Sequence, residues 1–571
     1  MVRVTQQLRP WLEPAPAHSS ATVVLLRDDS NGLEALVSKR AAKSSFVPSM
    51  YVFPGGRTDA TDATWAALWA ECVPGLFPAH WPQRLHAQAL AAVRECFEEM
   101  GVALVYQDGR LLPADALQTL RRDADFYPQL QARGWQPAVP ELVWVADRIT
   151  HASMPKRFHT AFFYAAMPPA QTVAPDLHEQ LDAVWLPLQS RAWQDNERLP
   201  MIYPTIKTLE SLAPFDNTAA ALQAARGLHS VPSYFTREVL VQDQVQHLSP
   251  EHMAYAECEL LAPDGQVFHS LDWQYERPVP LLQQVQRLTC ANANMMTGPG
   301  TNTYLVGSAE QGFCVIDAGP KHKPHLRHIL QSTGGHIAAL LCTHSHPDHS
   351  PGAVLLQRWL RRQGKSVPLL GMASLPTAAA HSLFRPTHPT AHDASFVLPA
   401  TAAQPQHTLR FIHTPGHAAN HLCILLEEDG LLFSGDHILN GSSTVIAPPD
   451  GDMTHYLQSL DLLDQYCQRF DVQFILPAHG YVLGGNGNCA ASSALGGGGL
   501  RVIEQVRQHR LAREGKVLRA MRSLHINSNT PATRQQVLPL VYDDVPPAIW
   551  PVAERSLAAH MARIVEHGLL V

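Results

Sequence analysis

Apolar positions along the chain change period several times, and the changes mark out elements. Residues 21–27 and 33–39 are short apolar runs separated by Asp28-Asp29-Ser30-Asn31-Gly32, which predicts a β-hairpin. Residues 85–100 carry apolar side chains at helical spacing, and Gly101 stands where that helix should stop. Strand-like runs follow at 142–145, 161–166 and 184–186, after which the pattern is mixed from about 216 to 280 and predicts no definite element. A second region opens near residue 285 and alternates strands, turns and helices up to His479. Within it, 337–341 reads as a buried strand. Glycine and serine dominate 484–499; a polar helix resumes at 500–516, and helical patterns fill 517–571. No internal repeat is visible.

Composition narrows the class. At 571 residues the chain exceeds one ordinary core, so two or three domains are expected. A hydrophobic share of 46% is that of globular protein, and no stretch approaches the roughly 18 apolar residues of a spanning helix. Residues 1–16 are of mixed polarity, so a secretory signal is not expected, and the last residues carry no peroxisomal or retention address. Nine cysteines are scattered singly, with no C-x-x-C pair, which suits reduced thiols better than a disulfide framework. A net charge of −7 argues against a whole-surface nucleic-acid footprint but leaves room for a local basic face. These features predict a cytoplasmic protein with no membrane partner; they leave the oligomeric state open.

The chemistry concentrates after the predicted strand at 337–341, in Thr343-His344-Ser345-His346-Pro347-Asp348-His349. Histidine and aspartate at that density suit a divalent cation better than an apolar core. Further donor-type residues follow on turns after apolar segments: His417 in Thr414-Pro415-Gly416-His417, Asp436 in Ser434-Gly435-Asp436-His437, and His479 in Pro477-Ala478-His479-Gly480. Imidazole nitrogen and carboxylate oxygen are zinc donors, and a pair of ions roughly 3.5–4 Å apart can share a bridging water. His381, His388 and His392 lie in a proline-rich stretch and read as solvated loop histidines. The glycines at 496–499 lack a following Lys-Ser/Thr, so they form no phosphate loop and read as a flexible connection.

This ordered set resembles the metallo-β-lactamase superfamily and its H-x-H-x-D-H signature. The resemblance implies two Zn2+: one held by His344, His346 and His417, the other by Asp348, His349 and His479, with Asp436 bridging. Asp317 matches the early strand-end aspartate that supports the ligands from behind. Gly300-Thr301-Asn302-Thr303-Tyr304-Leu305-Val306-Gly307, Ser443-Thr444-Val445 and His509-Arg510-x-x-Arg513-Glu514 resemble the lactamase-beta-like endoribonuclease branch, in which a winged-helix-like domain follows the metal domain. Members of that branch cut single-stranded RNA, relatives hydrolyse acyl thioesters, and the related glyoxalase II enzymes use the same ligand positions, so the ligands alone do not choose the substrate. Arg501, Arg507, Arg510, Arg513, Lys516, Arg519 and Arg522 make the terminal helical region basic, opposed by Glu504 and Glu514; aromatic residues for stacking bases are sparse there.

The first half carries a second signal. Phe53-Pro54-Gly55-Gly56 is followed by Arg94-Glu95-Cys96-Phe97-Glu98-Glu99-Met100-Gly101-Val102. On a helix Glu95, Glu98 and Glu99 share one face, and carboxylates that close repel unless a cation neutralises them. Oxygen-only donors suit Mg2+ or Mn2+. The pattern resembles the Nudix box, which implies Glu95, Glu98 and Glu99 as metal ligands oriented by Arg94. It departs from the box in two ways: Asp62 replaces the first Glu, and about thirty residues separate it from Arg94. Those departures, with Leu8-Arg9-Pro10-Trp11 and Arg157-Phe158-His159-Thr160-Ala161-Phe162-Phe163, resemble the peroxisomal coenzyme A diphosphatase branch. Glu179 is a further candidate acidic ligand or base.

The expected architecture is α/β multidomain: a Nudix α/β/α sandwich over 5–215, a linker or subdomain at 216–284, an αβ/βα metallo-β-lactamase sandwich over 285–500, and a winged-helix-like domain at 501–571. The expected function is a bifunctional hydrolase. A dizinc site would act on a thioester or phosphodiester, and a Nudix site on a nucleoside diphosphate derivative, with coenzyme A chemistry joining them. Candidate catalytic residues are Asp348 in the first site and Glu98, Arg94 and Glu179 in the second. The alternatives are a single-stranded RNA endoribonuclease and a first domain that senses a nucleotide without cleaving it.

Overall fold

The computed structural model describes residues 2–570 apart from 45–46, 196, 229–230, 232, 267–268 and 486–497, so most of the glycine-rich connection lies outside the described residues. The chain folds as two compact units, one of residues 14–236 and one that joins residues 2–13 to 237–485 and 498–570.

In the first unit, β1 (Ala17–Asp29) and β2 (Gly32–Arg40) form the predicted hairpin, with Asp29 opposite Gly32. Helices α1 (Ala60–Cys72) and α2 (Arg84–Met100) follow, then β3 (Val143–Ile149), β4 (Arg157–Ala166) and β5 (Gln180–Pro187). The sheet runs β5-β2-β1-β4-β3, and its central pair, β1 and β4, is parallel. Period-two alternation gives β1 two buried faces. Ala21, Val23 and Leu25 pack with Leu85, Ala89 and Val93 of α2. Val24 and Leu26 pack with residues of α3 (Tyr203–Leu212) and α4 (Thr218–Arg226). The result is helix, sheet, helix. At the end of α2, Gly101 takes φ +67° and its N–H bonds Phe97 O at 2.9 Å, the left-handed stop that glycine permits.

The second unit is a sandwich. One sheet carries β6 (Val285–Thr289), β7 (Asn302–Ser308), β8 (Gly312–Ile316), β9 (Ile337–Leu341) and β10 (Leu369–Gly371) in that order. The other carries β11 (His407–His413), β12 (Leu422–Leu426), β13 (Leu431–Gly435) and β14 (Phe474–Pro477). Val306, Ile316, Leu341, Phe411, Ile424 and Phe433 fill the space between the sheets. Outside the first sheet lie α5 (Lys323–Thr333) and α6 (Ser350–Arg362); outside the second lies α7 (Met453–Arg469). The long α8 (Gly498–Ser523) gives Val502 and Ile503 to the α7 core. Its other end, with Val517 and Met521, packs on α9 (Pro531–Val541) and α10 (Trp550–Glu566).

The unassigned stretch 216–280 is divided: α4 belongs to the first unit, whereas Arg237–Val241, Gln244–Leu248 and helix Tyr255–Leu261 belong to the second. The N-terminal segment also departs from expectation. Arg9, read with the first domain, ion-pairs with Asp264 of the second unit, and Arg3 reaches Asp429 with two bonds of 2.8 and 2.6 Å. Side-chain ion pairs at this sequence separation leave no local pattern to read.

Glu257 anchors the small subdomain to the sandwich. It is fully buried against Arg287, accepts from Val482 N–H at 3.1 Å and lies 3.0 Å from His269 Nε2. Burial opposes its charge, but Arg287 and His269 outweigh burial and bring its pKa down to about 2. Glu257→Gln keeps the shape and leaves Arg287 buried without its counter-charge, so it should cost about 3–5 kcal/mol. Urea unfolding of the full chain checks this, and an unchanged midpoint for the second unit would contradict it.

Candidate functional site

In the second unit the predicted donors gather on turns at the C-terminal ends of strands: residues 343–349 after β9, His417 after β11, Asp436 after β13 and His479 after β14. Two sets form. His346 Nδ1 lies 3.0 Å from both His344 Nε2 and His417 Nε2, and Asp436 Oδ2 lies 3.4 Å from His417 Nε2 and 3.9 Å from His344 Nε2. In the other set Asp348 Oδ2 is 3.3 Å from His349 Nε2 and 3.4 Å from His479 Nε2, while Asp436 Oδ1 is 3.4 and 3.3 Å from the same nitrogens. Asp436 thus gives one oxygen to each set.

Outward hydrogen bonds fix which nitrogens face inward. His349 Nδ1 donates to Asp317 Oδ2 at 2.9 Å, His417 Nδ1 to Val445 O at 2.8 Å and His479 Nδ1 to Gly300 O at 3.1 Å. Thr343 donates its hydroxyl to Asp317 Oδ2, so its oxygen accepts from His344 Nδ1 at 3.0 Å. Each ring thereby turns its Nε2 into the site. Burial holds His344 well below its ordinary pKa, and burial with His417 pushes His346 down to about 3, so both rings are in the neutral, donor form. Burial also disfavours charge on His349, yet Asp348, Asp436 and Asp317 outweigh it and raise its pKa. Burial opposes charge on Asp348 and Asp436 as well, yet His349 and His479 outweigh it and hold both carboxyls below the usual range.

These residues fit divalent cations. His349 Nε2 and Asp436 Oδ1 are buried without a hydrogen-bond partner, which is costly unless something else satisfies them. A tetrahedral shell with bonds of about 2.0–2.1 Å puts its donors roughly 3.4 Å apart; the second set has that spacing, at 3.3 to 3.4 Å, and the first brackets it, at 3.0 to 3.9 Å. Asp317, predicted as a supporting residue, is held at φ +51° with its N–H on Leu341 O, a left-handed backbone that aspartate tolerates better than most residues.

The supporting roles of several residues were not legible in the sequence. Asn302 bonds Pro477 O and Gly480 O, at 3.1 and 2.8 Å, and so clasps the His479 turn. His421, four residues after His417, is buried beside Asp436; a histidine at that offset from a predicted ligand was the available signal. Arg510 reaches Thr444 O, and the Thr444 hydroxyl donates to Asp436 O at 2.8 Å, which gives part of the His509–Glu514 motif its place. His381, His388 and His392 remain exposed.

In the first unit, α2 brings Glu95, Glu98 and Glu99 beside Arg94. Arg94 Nη1 bonds Glu95 at 2.9 Å and Glu98 at 2.8 Å, and its other guanidinium atoms bond Asp62 at 2.9 and 3.0 Å. The long interval before Arg94 is filled by α1 and a loop, which return Asp62 to it; Tyr127 also bonds Asp62. Glu99 accepts from Gly55 N–H at 2.9 Å and from Gln180 at 2.8 Å. Gly56 leaves room for the Glu95 carboxylate, since a Cβ there would lie 2.2 Å from it and displace it. Glu179 is exposed, and its neighbour Gln180 is the side chain that reaches the cluster. A cleft of about 570 Å³ is lined by Arg57, Thr58, Asp59, Ala60, Arg94 and Glu95.

The fold and donor set of the second unit define a metal-dependent hydrolase. The Metallo-beta-lactamase superfamily profile matches residues 296–477, and the Beta-lactamase associated winged helix domain profile matches 533–571. The Beta-lactamase-like protein 2 homolog of Drosophila melanogaster is 31% identical over 300 residues, covering 51% of this chain and 90% of that protein. An Atrochrysone carboxyl ACP thioesterase of Aspergillus chevalieri is 29% identical over 300 residues, covering 50% of this chain and 83% of that protein. A solved NUDIX hydrolase from Alicyclobacillus acidocaldarius is 26% identical, covering 37% of this chain and 96% of its own, with a TM-score of 0.33. This chain belongs to the metallo-beta-lactamase superfamily. No helix among the described residues is long and apolar enough to cross a membrane.

Burial raises Glu99 to about 8 and Glu95 to about 7, and it raises Glu98 as well. These pKa values lie above those of the unfolded chain, so without a cation the folded state binds the extra protons. The stability this confers is full below the ordinary glutamate pKa and is lost as pH rises through about 7 to 8. Melting of the first unit should therefore fall between pH 6 and 8.5 without Mg2+ and flatten with it; equal slopes would contradict a cation-binding cluster.

Proposed function

We propose that the chain is a two-site hydrolase: a dizinc thioesterase in the second unit and a Mg2+- or Mn2+-dependent Nudix pyrophosphohydrolase of nucleoside diphosphate derivatives in the first. The observation that carries the first assignment is the division of Asp436 between the two donor sets. His344, His346 and His417 would hold one zinc, Asp348, His349 and His479 the other, with Asp436 shared. The chemistry such ions supply when bound is Lewis acidity, which polarises a scissile carbonyl and brings the pKa of water to about 7. This chain's own residues do the rest. The outward Nδ1 bonds keep the imidazoles oriented. Asp348 is the more solvent-accessible of the two carboxylates, at 26% side-chain exposure, and His349 and His479 keep it ionised.

A thioester is favoured over RNA for two reasons. A relative that matches 50% of this chain is named as an acyl-carrier thioesterase. Four of the basic terminal residues are also engaged within their own unit: Arg501 by Gly484 O and Gly485 O, Arg507 by Asp464, Arg513 by Asp544 and Lys516 by Asp543. Paired cations offer a phosphate backbone little.

In the first unit Glu95, Glu98 and Glu99 would hold the cation, whose charge offsets that of a diphosphate. Arg94, fixed by Asp62, orients Glu95 and Glu98. The coenzyme A motif resemblances and the adjoining cleft support a substrate with a diphosphate and a bulkier arm.

Acyl-CoA supplied to the full chain tests both sites. His346→Ala should lower free-thiol release by at least about a hundredfold and spare diphosphate cleavage, and Glu98→Gln should do the reverse. Loss of RNA scission on His346→Ala, with thioesters untouched in the wild type, would replace the thioesterase reading with the endoribonuclease one.

A further inference from the structure

His421 lies immediately before β12, fully buried behind Asp436. The Asp436 backbone N–H donates to His421 Nε2 at 3.2 Å. That nitrogen therefore carries a lone pair, and the ring proton belongs on Nδ1. Nδ1 stands 2.9 Å from Thr414 Oγ1. Thr414 Oγ1 accepts Cys423 N–H at 3.1 Å and lies 3.4 Å from Cys423 Sγ, so its hydroxyl donates to sulfur and its oxygen accepts from the ring. Each link fixes the next, and the chain ends on the amide of the shared aspartate.

The local sequence makes room for this contact. Gly435 sits at φ +51°, and a Cβ there would lie 2.6 Å from His421 Nε2. The ring does not belong to either donor set: its Nε2 is occupied by the amide, and its centroid is 5.1 Å from that of His344 and 6.2 Å from that of His417. From the other side, the Thr444 hydroxyl donates to Asp436 O. The peptide on either side of the carboxylate is therefore gripped, once by its N–H and once by its C=O.

We propose that His421 is a positioning residue whose Nε2 lone pair holds the Asp436 amide, and with it the rotation that presents one carboxylate oxygen to each donor set. This rests on the dinuclear reading given above. Its action is on metal retention rather than on the substrate.

Two substitutions separate this role from simple space filling. In His421→Gln the side-chain oxygen reaches the place of Nε2 and can accept the Asp436 N–H. In His421→Asn the amide reaches only the place of Nδ1, keeping the Thr414 partner and losing Asp436. Zinc alone, titrated into the metal-free full chain against a chromogenic chelator, gives the number of ions held and their affinities. The proposal expects His421→Gln to retain two zinc within about threefold of wild-type affinity, and His421→Asn to weaken the shared site by about tenfold or more. Equal zinc binding by the two folded variants would overturn it. A wild-type chain that holds no zinc would overturn the dinuclear reading instead. Should neither variant fold, nitrogen NMR of histidine-labelled, zinc-loaded wild type decides: a bare Nε2 and protonated Nδ1 at His421 are expected, and a protonated Nε2 would overturn the proposal.

Discussion

Imidazole nitrogens and carboxylate oxygens held 3.0 to 3.9 Å apart are the constraint on which the second unit turns. They converge from separate turns into a buried space. Crowding ligand-type atoms in this way is costly in isolation and favourable around cations. Its persistence therefore depends on a rigid frame, and the frame is the sandwich. β9 of one sheet and β11, β13 and β14 of the other end at the same edge, so the short turns after them carry the donors to one place.

The frame reaches well beyond the donors. Asp317 is held in a left-handed backbone and receives both Thr343 and His349, so one buried carboxylate orients a ligand turn at two points. Asn302 performs a similar task for the His479 turn. The C-terminal helices contribute through Arg510, whose contact with Thr444 continues to Asp436, and through Ser556, which accepts from Ile446 N–H at 3.2 Å. The helical tail thus supports the metal-facing loop rather than standing apart from it. A comparable logic operates in the first unit, where a single guanidinium, itself fixed by Asp62, holds two of three crowded carboxylates.

Elements set by local physics were legible in the sequence. The hairpin of β1 and β2, the helix ending at Gly101 and the buried strand β9 follow from period, turn residues and a left-handed glycine. The predicted donors His344, His346, Asp348, His349, His417, Asp436 and His479 gather, because each sits in a short turn whose composition shows its chemistry. What could not be read depends on distant pairing. Nothing local announces that Arg3 seeks Asp429, that Asp62 returns to Arg94 past α1, or that Gln180 rather than Glu179 meets Glu99. The stretch 216–280 was opaque because its elements are short and divided between two units.

The proposed sharing of Asp436 by two cations can be seen by anomalous diffraction at the zinc edge from zinc-loaded crystals of the full chain. Two peaks roughly 3.5–4 Å apart are expected, one beside each Asp436 oxygen. A single peak, or peaks that leave either Asp436 oxygen without an ion, would contradict it.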